Sequence, residues 1–325
     1  MVTKDLGLTA IVAIVLRLTG IDPAGAQPFP ERPIKIVVPY PAGGPADVAA
    51  RLVAPALSSR LGQSVVVENL AGAGGRTGAK AVAQAAPDGY TLQLGGTNPN
   101  AIAQSLFRHL TFEPIRDFAA VAPVGVDVNV LVVNPQVPAE TLQELIEYAK
   151  AHPGKLSSGA TAGIGPHISL ELLRVRTGTE IAFIPYKGAA PAVADLLSGQ
   201  IQIGMTSKAV LLPLIKEGRL RALAVTSKQR WSEFPAVPTL HEVGLDGIPP
   251  YLWFGLLAPA RTPTAIVDKL NAAVTEGLAL PELEQSITRL GIEVRRMSAR
   301  EFSLELDEEA RRWEAAVKES GVKMD

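Results

Sequence analysis

The sequence predicts an α/β protein of two domains joined by two crossover strands. Three observations carry that expectation. Apolar β-branched runs alternate with amphipathic helical runs along most of the chain, as βαβ units around a largely parallel sheet require. Two long apolar runs, at 121–135 and 251–259, divide that alternation into two series. The chain has 325 residues, 47% hydrophobic and 19% charged, enough for two buried cores.

The elements follow in order. Lys4 precedes the apolar run LGLTAIVAIVL (6–16), and AGA closes the segment at 24–26. A basic residue, a short apolar run and an A-x-A site describe a secretory signal peptide over 1–26. The run is too short for a permanent membrane helix. The mature chain is then expected to start near Gln27. Strands are expected at IKIVVPY (34–40), SVVVENL (64–70) and YTLQLGG (90–96), each followed by a Gly-rich or polar turn. The run VAPVGVDVNVLVVNP (121–135) is long for one strand and is expected to cross between domains.

A second series begins with TLQELIEYAK (141–150), where Thr141 and Glu144 have the spacing of a capping box. KLSSGAT, IAFIPY, IQIGMTS and RALAVTS read as strands. HISLELLRVRTG, APAVADLLSGQ and AVLLPLIKEG between them have helical periodicity. YLWFGLLAP (251–259) reads as the returning strand. The remainder to about Gly321 is mainly helical, with Ser298 and Glu301 as a second capping box. The chain is thus expected to cross near Val130 and return near Trp253. Domain 1 would hold 27–129 and 254–325, with the C-terminal helices packed on it, and domain 2 would hold 130–253. Such a hinge places a ligand cleft between the domains.

Composition removes several function classes. The formal net charge is −1, from 31 basic and 32 acidic residues. No basic field exists to neutralise a nucleic-acid backbone. The absence of cysteine excludes thiol nucleophiles, disulfides and thiolate metal sites. The four histidines lack zinc-helix spacing, and no Gly-x-Ser-x-Gly elbow occurs. Neither catalysis nor a metal or cofactor is expected.

What remains is anion binding by backbone. In VVPYPAGGPADVAARL (37–52) a strand ends at Tyr40, a Pro-Ala-Gly-Gly-Pro turn follows, and a helix begins. Ala42, Gly43 and Gly44 offer backbone N–H groups at that helix start. Pro45 fits the first helical position. Asp47 falls in the first turn, where a carboxylate suits the helix dipole, and reads as a cap. A similar element recurs in SSGATAGIGPHIS (157–169), through Gly163 and Gly165 into a helix at Pro166 and His167. Two such loops, one per domain, would face each other across the cleft and present amides to one carboxylate. Ser158, Thr161 and Thr97 would add hydroxyl donors, and the His167 ring sits where it can hydrogen-bond a ligand.

A third glycine cluster, AGAGGRTGAK (71–80), contains Gly72, Gly74 and Gly78. It is loosely a dinucleotide fingerprint. The expected acidic partner about 20 residues on is met only by Asp88, in an Asp-Gly turn. An NAD(P)-dependent oxidoreductase is therefore the enzyme alternative. A ligand-sensing receptor for a signalling partner is another.

The stretch from PIKIVVPYPAGGPADVAARL to AAPDGYTL resembles the N-terminal half of Bug-type extracytoplasmic solute receptors, the substrate-binding proteins of tripartite tricarboxylate transporters. IPYKGAAPAVADLLSGQI, LRALAVTSKQR with PAVPTLHEVGL, and WFGLLAPARTP resemble later motifs of that family. The resemblance runs from about Pro30 to the C-terminus. It implies a type II periplasmic binding-protein (Venus flytrap) fold and a monomer. It implies a small organic mono- or dicarboxylate as ligand, and delivery to a membrane permease of one large and one small subunit. It places one carboxylate, held partly through water, between the loop matching Pro41–Asp47, which follows Tyr40, and the loop matching Ala160–His167, which includes Ala162. The third wall of the cleft would lie near Thr97 and Asn98. Many members have Phe-Asp-Asn where this chain has Met205-Thr206-Ser207. Loss of that acidic residue argues against an amino-acid ligand. Thr206, Ser207 and Lys208 would then border the far end of the ligand, with Lys208 positioned for a second carboxylate.

Overall fold

The computed structural model describes residues 29–324. The predicted signal segment, 1–26, lies outside them. Two mixed sheets, each flanked by helices, form the two halves of the molecule. The first half opens with β1 (Ile34–Val38), α1 (Pro45–Leu61), β2 (Val65–Asn69), α2 (Arg76–Ala83), β3 (Thr91–Gly96), α3 (Ala103–Leu106) and β4 (Phe118–Asp127). The second half holds β5 (Asn129–Val133), α4 (Leu142–Ala151), β6 (Ser157–Thr161), α5 (Gly165–Thr177), β7 (Ala182–Tyr186), α6 (Ala189–Ser198), β8 (Ile203–Ser207), α7 (Lys208–Lys216) and β9 (Arg221–Val225). The chain returns with β10 (Leu252–Pro259), α8 (Thr264–Leu278), α9 (Pro281–Arg289), β11 (Ile292–Val294) and α10 (Ala299–Ser320).

The first sheet has the order β11-β4-β10-β3-β1-β2, and the second β7-β6-β8-β5-β9. Strands β2, β1 and β3 run parallel, so their C-terminal ends share one edge. β10 is antiparallel to both β3 and β4. In the second sheet β7, β6 and β8 are parallel, again with their C-terminal ends together. Loops that leave such edges are where ligands of open α/β sheets bind. β1 is apolar and almost wholly covered because helices pack on both faces.

The long run at 121–135 is two strands. Val128 alone separates β4, paired to β10, from β5, paired to β8 and β9. The return differs from expectation. It runs through an irregular segment between β9 and β10, tied to the outgoing strand by Thr226. Thr226 Oγ1 accepts from the Asn129 N–H at 3.1 Å and donates to the Pro250 carbonyl at 2.9 Å. Asn129 therefore opens the second sheet, while Leu252 and Trp253 belong to the first.

The C-terminal helices do not all sit on the first half, as the sequence suggested. Phe302 and Leu306 near the start of α10 pack with Trp253 and Leu257 of β10. Trp313, Ala316 and Val317 further along join the core that contains Ile168, Leu172 and Leu173 of α5. α10 therefore spans both halves. Its Ser298–Glu301 capping box is complete. At α4 only half of the box forms: Thr141 Oγ1 accepts from the Glu144 N–H, but the Glu144 carboxylate turns to the Glu140 N–H.

Candidate functional site

The first loop closes on itself. Gly43 has φ +83° and is followed by Gly44 as the N-cap of α1. Asp47, third in the helix, reaches back and accepts the Gly43 N–H at 2.9 Å. Arg51, one turn on, donates its Nε to Asp47 at 3.0 Å, and Asn69 at the end of β2 donates at 2.9 Å. The Arg51 guanidinium beside it holds the Asp47 carboxyl down at about 2. Asp47 is thus a cap, as its position suggested, but it claims the Gly43 amide that was expected to serve a ligand. The amides that α1 leaves free at its start are those of Ala46 and Asp47, together with Gly44 ahead of them.

The second loop repeats the device with another side chain. Gly163 has φ +72°, Ile164 is the N-cap of α5, and His167 is third in the helix. The Gly163 N–H donates to His167 Nδ1 at 3.0 Å. Accepting at Nδ1 puts the neutral ring's proton on Nε2. The ring stacks on Phe183 at 3.9 Å, and burial pushes its pKa below the ordinary value while Glu171 works weakly in the other direction. The Ala162 N–H is bound to the Tyr186 carbonyl. Neither Gly163 nor Ala162 therefore offers a free amide, contrary to expectation.

Asn98 connects the two loops. It hydrogen-bonds the hydroxyl of Tyr40, whose pKa burial raises to about 12. Its Oδ1 accepts the Gly165 N–H, the first amide of α5, at 3.3 Å. An acceptor oxygen from the first half of the molecule therefore already sits at the N-terminus of a helix in the second half. Thr97 beside it is buried, and its Oγ1 accepts the Trp253 N–H at 2.8 Å. Thr97 holds β10 rather than offering a hydroxyl to the cleft.

The far-end residues separate. Thr161 and Thr206 line one small cavity of about 30 Å³, with Ile164, Pro166, Ala189, Ala192 and Met205. Ser207 instead caps α7 and donates to the buried carboxyl of Asp127, whose pKa burial lifts to about 7. Lys208 does not face this cavity. Its ammonium pairs with Glu233 at 2.7 Å, over the Trp231 ring, in a groove of about 850 Å³ bounded by α7, α9 and β11. Ser158 is buried within β6. Pro41 and Ala42 are exposed at the tip of the first loop.

Sequence reasoning missed one wall. The turn Ala73–Gly75 leaves β2 beside the first loop, and a Cβ on Gly75 would lie 3.4 Å from Pro99, next to Asn98. Gly78 lets α2 pack directly on Pro39 and Leu70. These glycines serve close packing at the sheet edge. Among the described residues, no group of three or more His, Cys, Asp or Glu is placed to hold a metal ion.

Comparison with known proteins places this geometry. Residues 49–322 match the tripartite tricarboxylate transporter family receptor. Protein BugT of Bordetella pertussis is 38% identical over 98% of both chains. The structure of periplasmic binding protein BugD superimposes with a TM-score of 0.77 at 35% identity, covering 91% of this chain and 100% of that one. The structure of R. palustris Rpa4515 with adipate gives a TM-score of 0.80 at 34% identity, covering 91% of this chain and 99% of that one.

Proposed function

The chain belongs to the receptor family of tripartite tricarboxylate transporters, and we propose that it captures a small organic carboxylate between its two loops for delivery to a membrane permease. The family is one of solute-binding receptors, not enzymes, which sets aside the nucleotide-dependent oxidoreductase. One observation carries the ligand class. The Asn98 amide oxygen bonds the Gly165 N–H, the first amide of α5, at 3.3 Å, and the same side chain bonds the hydroxyl of Tyr40, which leads into the first loop. A carboxylate oxygen makes the same bond more strongly, because it is charged. Oriented amides and helix dipoles stabilise the anion without a full counter-charge, so the ligand can leave again. The adipate in a similar structure supports a carboxylate of this size.

Export through the segment 1–26 and residence in the periplasm complete the reading. No helix among the described residues is long and apolar enough to cross a membrane. A thermal-shift panel of mono-, di- and tricarboxylates on the purified protein tests the proposal. Ligand at about 100 times Kd adds roughly 2.7 kcal/mol to folding stability. A rise in Tm with a carboxylate and no consumption of it is expected. A rise with a nicotinamide nucleotide alone would overturn it.

A further inference from the structure

Two helix starts account for one carboxylate, and Lys208 is engaged elsewhere. The group left unassigned in the cleft wall is Arg76. Every other arginine at least partly shielded from solvent has a carboxylate partner among the described residues. Arg76 has neither a carboxylate nor a hydrogen-bond partner there. Its guanidinium carbon lies 3.4 Å from the centre of the Phe107 ring. Stacking occupies the flat face of the guanidinium and leaves its N–H groups in the plane, pointing past the ring. Burial also lowers its pKa, the mark of a cation short of compensation.

The position is that of a cleft residue. Arg76 follows the turn after β2, on the sheet edge that also carries the first loop after β1 and Asn98 after β3. The preceding Gly75 rests on Pro99, the neighbour of Asn98. On the other side, Phe107 adjoins Leu106, whose carbonyl accepts the Met324 N–H. Met324 in turn covers Gly163 of the second loop. Arg76 therefore borders the space between the two loops from the first half of the molecule.

We propose that Arg76 receives the second carboxylate of a dicarboxylate whose first carboxylate is held between the two loops. This rests on the reading of the cleft given above. A planar fork with unclaimed donors suits bidentate recognition of a carboxylate, which an ammonium does not offer. The arginine would discriminate dicarboxylates from monocarboxylates of equal length.

Calorimetric titration with adipate and hexanoate tests it, since the pair differs in one terminal carboxylate. The wild type should prefer adipate. Arg76→Ala should lower the adipate-to-hexanoate affinity ratio by about tenfold or more, the loss of a charge-assisted hydrogen bond. Arg76→Lys, which keeps the charge but not the fork, should recover part of the ratio. Lys80→Ala, which removes a charge one turn along α2, should leave the ratio within about twofold. An unchanged ratio in Arg76→Ala, or an equal fall in Lys80→Ala, would overturn the assignment of Arg76. Binding of hexanoate without preference for adipate would also overturn it while sparing the carboxylate reading. Binding of neither acid, nor of any other in the panel, would remove both.

Discussion

The two loops are built alike and held differently. In each, a glycine of positive φ gives its N–H to the third side chain of the following helix. In the first loop that side chain is Asp47, kept ionised by Arg51 and Asn69. In the second it is His167, kept neutral by burial against Phe183. The first loop is open on its outer side, and Pro41, Ala42 and Gly43 are exposed. The second is covered by Trp313 and Met324 from the C-terminal segment. The same backbone shape is thus stabilised by charge in one half and by packing in the other. The first should answer to changes of charge, the second to changes of volume and pH.

The largest expected effect tests the packing half. A Cβ on Gly165 would lie 2.6 Å from Leu252 and 3.0 Å from Trp313, both part of the seam between halves. Gly165→Val should cost about 1–3 kcal/mol by overpacking and lower carboxylate affinity, because the Gly165 N–H cannot keep its place. A Cβ on Gly44 meets only the Pro41 carbonyl, at 3.6 Å, and its φ is −76°. Gly44→Ala should stay within about 0.5 kcal/mol. Urea unfolding of both variants measures the contrast. Equal costs would mean that the seam yields, and the second loop is not held by volume.

Next comes the charged half. Asp47→Asn keeps an acceptor for Gly43 but removes the charge that Arg51 and Asn69 share. It also turns an amide N–H₂ toward donors. A loss of about 1–3 kcal/mol is expected, as for a broken hydrogen bond to a charged group. A silent substitution would show that the first loop needs only an acceptor, and the comparison would lose its electrostatic side.

Much of the fold was legible because the period of the apolar pattern reports burial directly. β1, β6, β8 and the helices between them follow from alternation and caps. The three-residue strand β11 was hidden because Ile292, Glu293 and Val294 lie within a helical region and carry too short a pattern. The position of both loops was legible from glycine and proline. Which amides they leave free was not. That depends on which amide the side chain four residues on turns back to claim: the first-turn position marked Asp47 as a cap, but not that it would take the Gly43 N–H. Lys208 looked available because its partner, Glu233, comes from a segment distant in sequence. Arg76 stood inside a glycine motif that suggested a nucleotide, and only the fold seats the preceding Gly75 on Pro99, the neighbour of Asn98, and Arg76 itself on Phe107. The reach of α10 across both halves depends on which neighbour Trp313 finds, which local periodicity does not encode.

A smaller effect compares the two glycines. An L-residue in the left-handed region costs about 1–2 kcal/mol. Gly43→Ala carries that strain alone, since nothing lies within 4 Å of its Cβ. Gly163→Ala adds a contact of 3.2 Å with the Met324 methyl, the end of a flexible chain that can move aside. The two variants should therefore lose nearly equal stability in parallel denaturation curves. A difference above about 1 kcal/mol, abolished when Met324→Ala is added, would show that the C-terminal segment clamps the second loop.

The smallest effect is that of pH, and its sign separates the loops. His167 has a folded pKa below its ordinary value, so the unfolded chain binds more protons in the window below pH 6.5. Stability then rises with pH there and falls as the solution is acidified. If the native ring stayed wholly neutral, the loss at pH 6 would be about 0.8 kcal/mol. Protonation at Nδ1 would also set two N–H groups against each other and release Gly163. Asp47 works in another range. Its carboxyl is held near 2, so its contribution is complete above the ordinary carboxylate range and lost only toward pH 2. Between pH 7.5 and 6, therefore, only the second loop should respond. The buried Asp127 carboxyl, at about 7, titrates in the same range with the opposite sign, because a native carboxyl that holds its proton is stabilised by acid. The response of the second loop is therefore read as the difference in urea midpoint between the wild type and His167→Gln, which keeps a side-chain acceptor without a titrating group. That difference should move against the wild type as the pH falls from 7.5 to 6, and by the same amount in an Asp47→Asn background. Parallel midpoint curves for the wild type and His167→Gln would show that His167 does not carry a pH response.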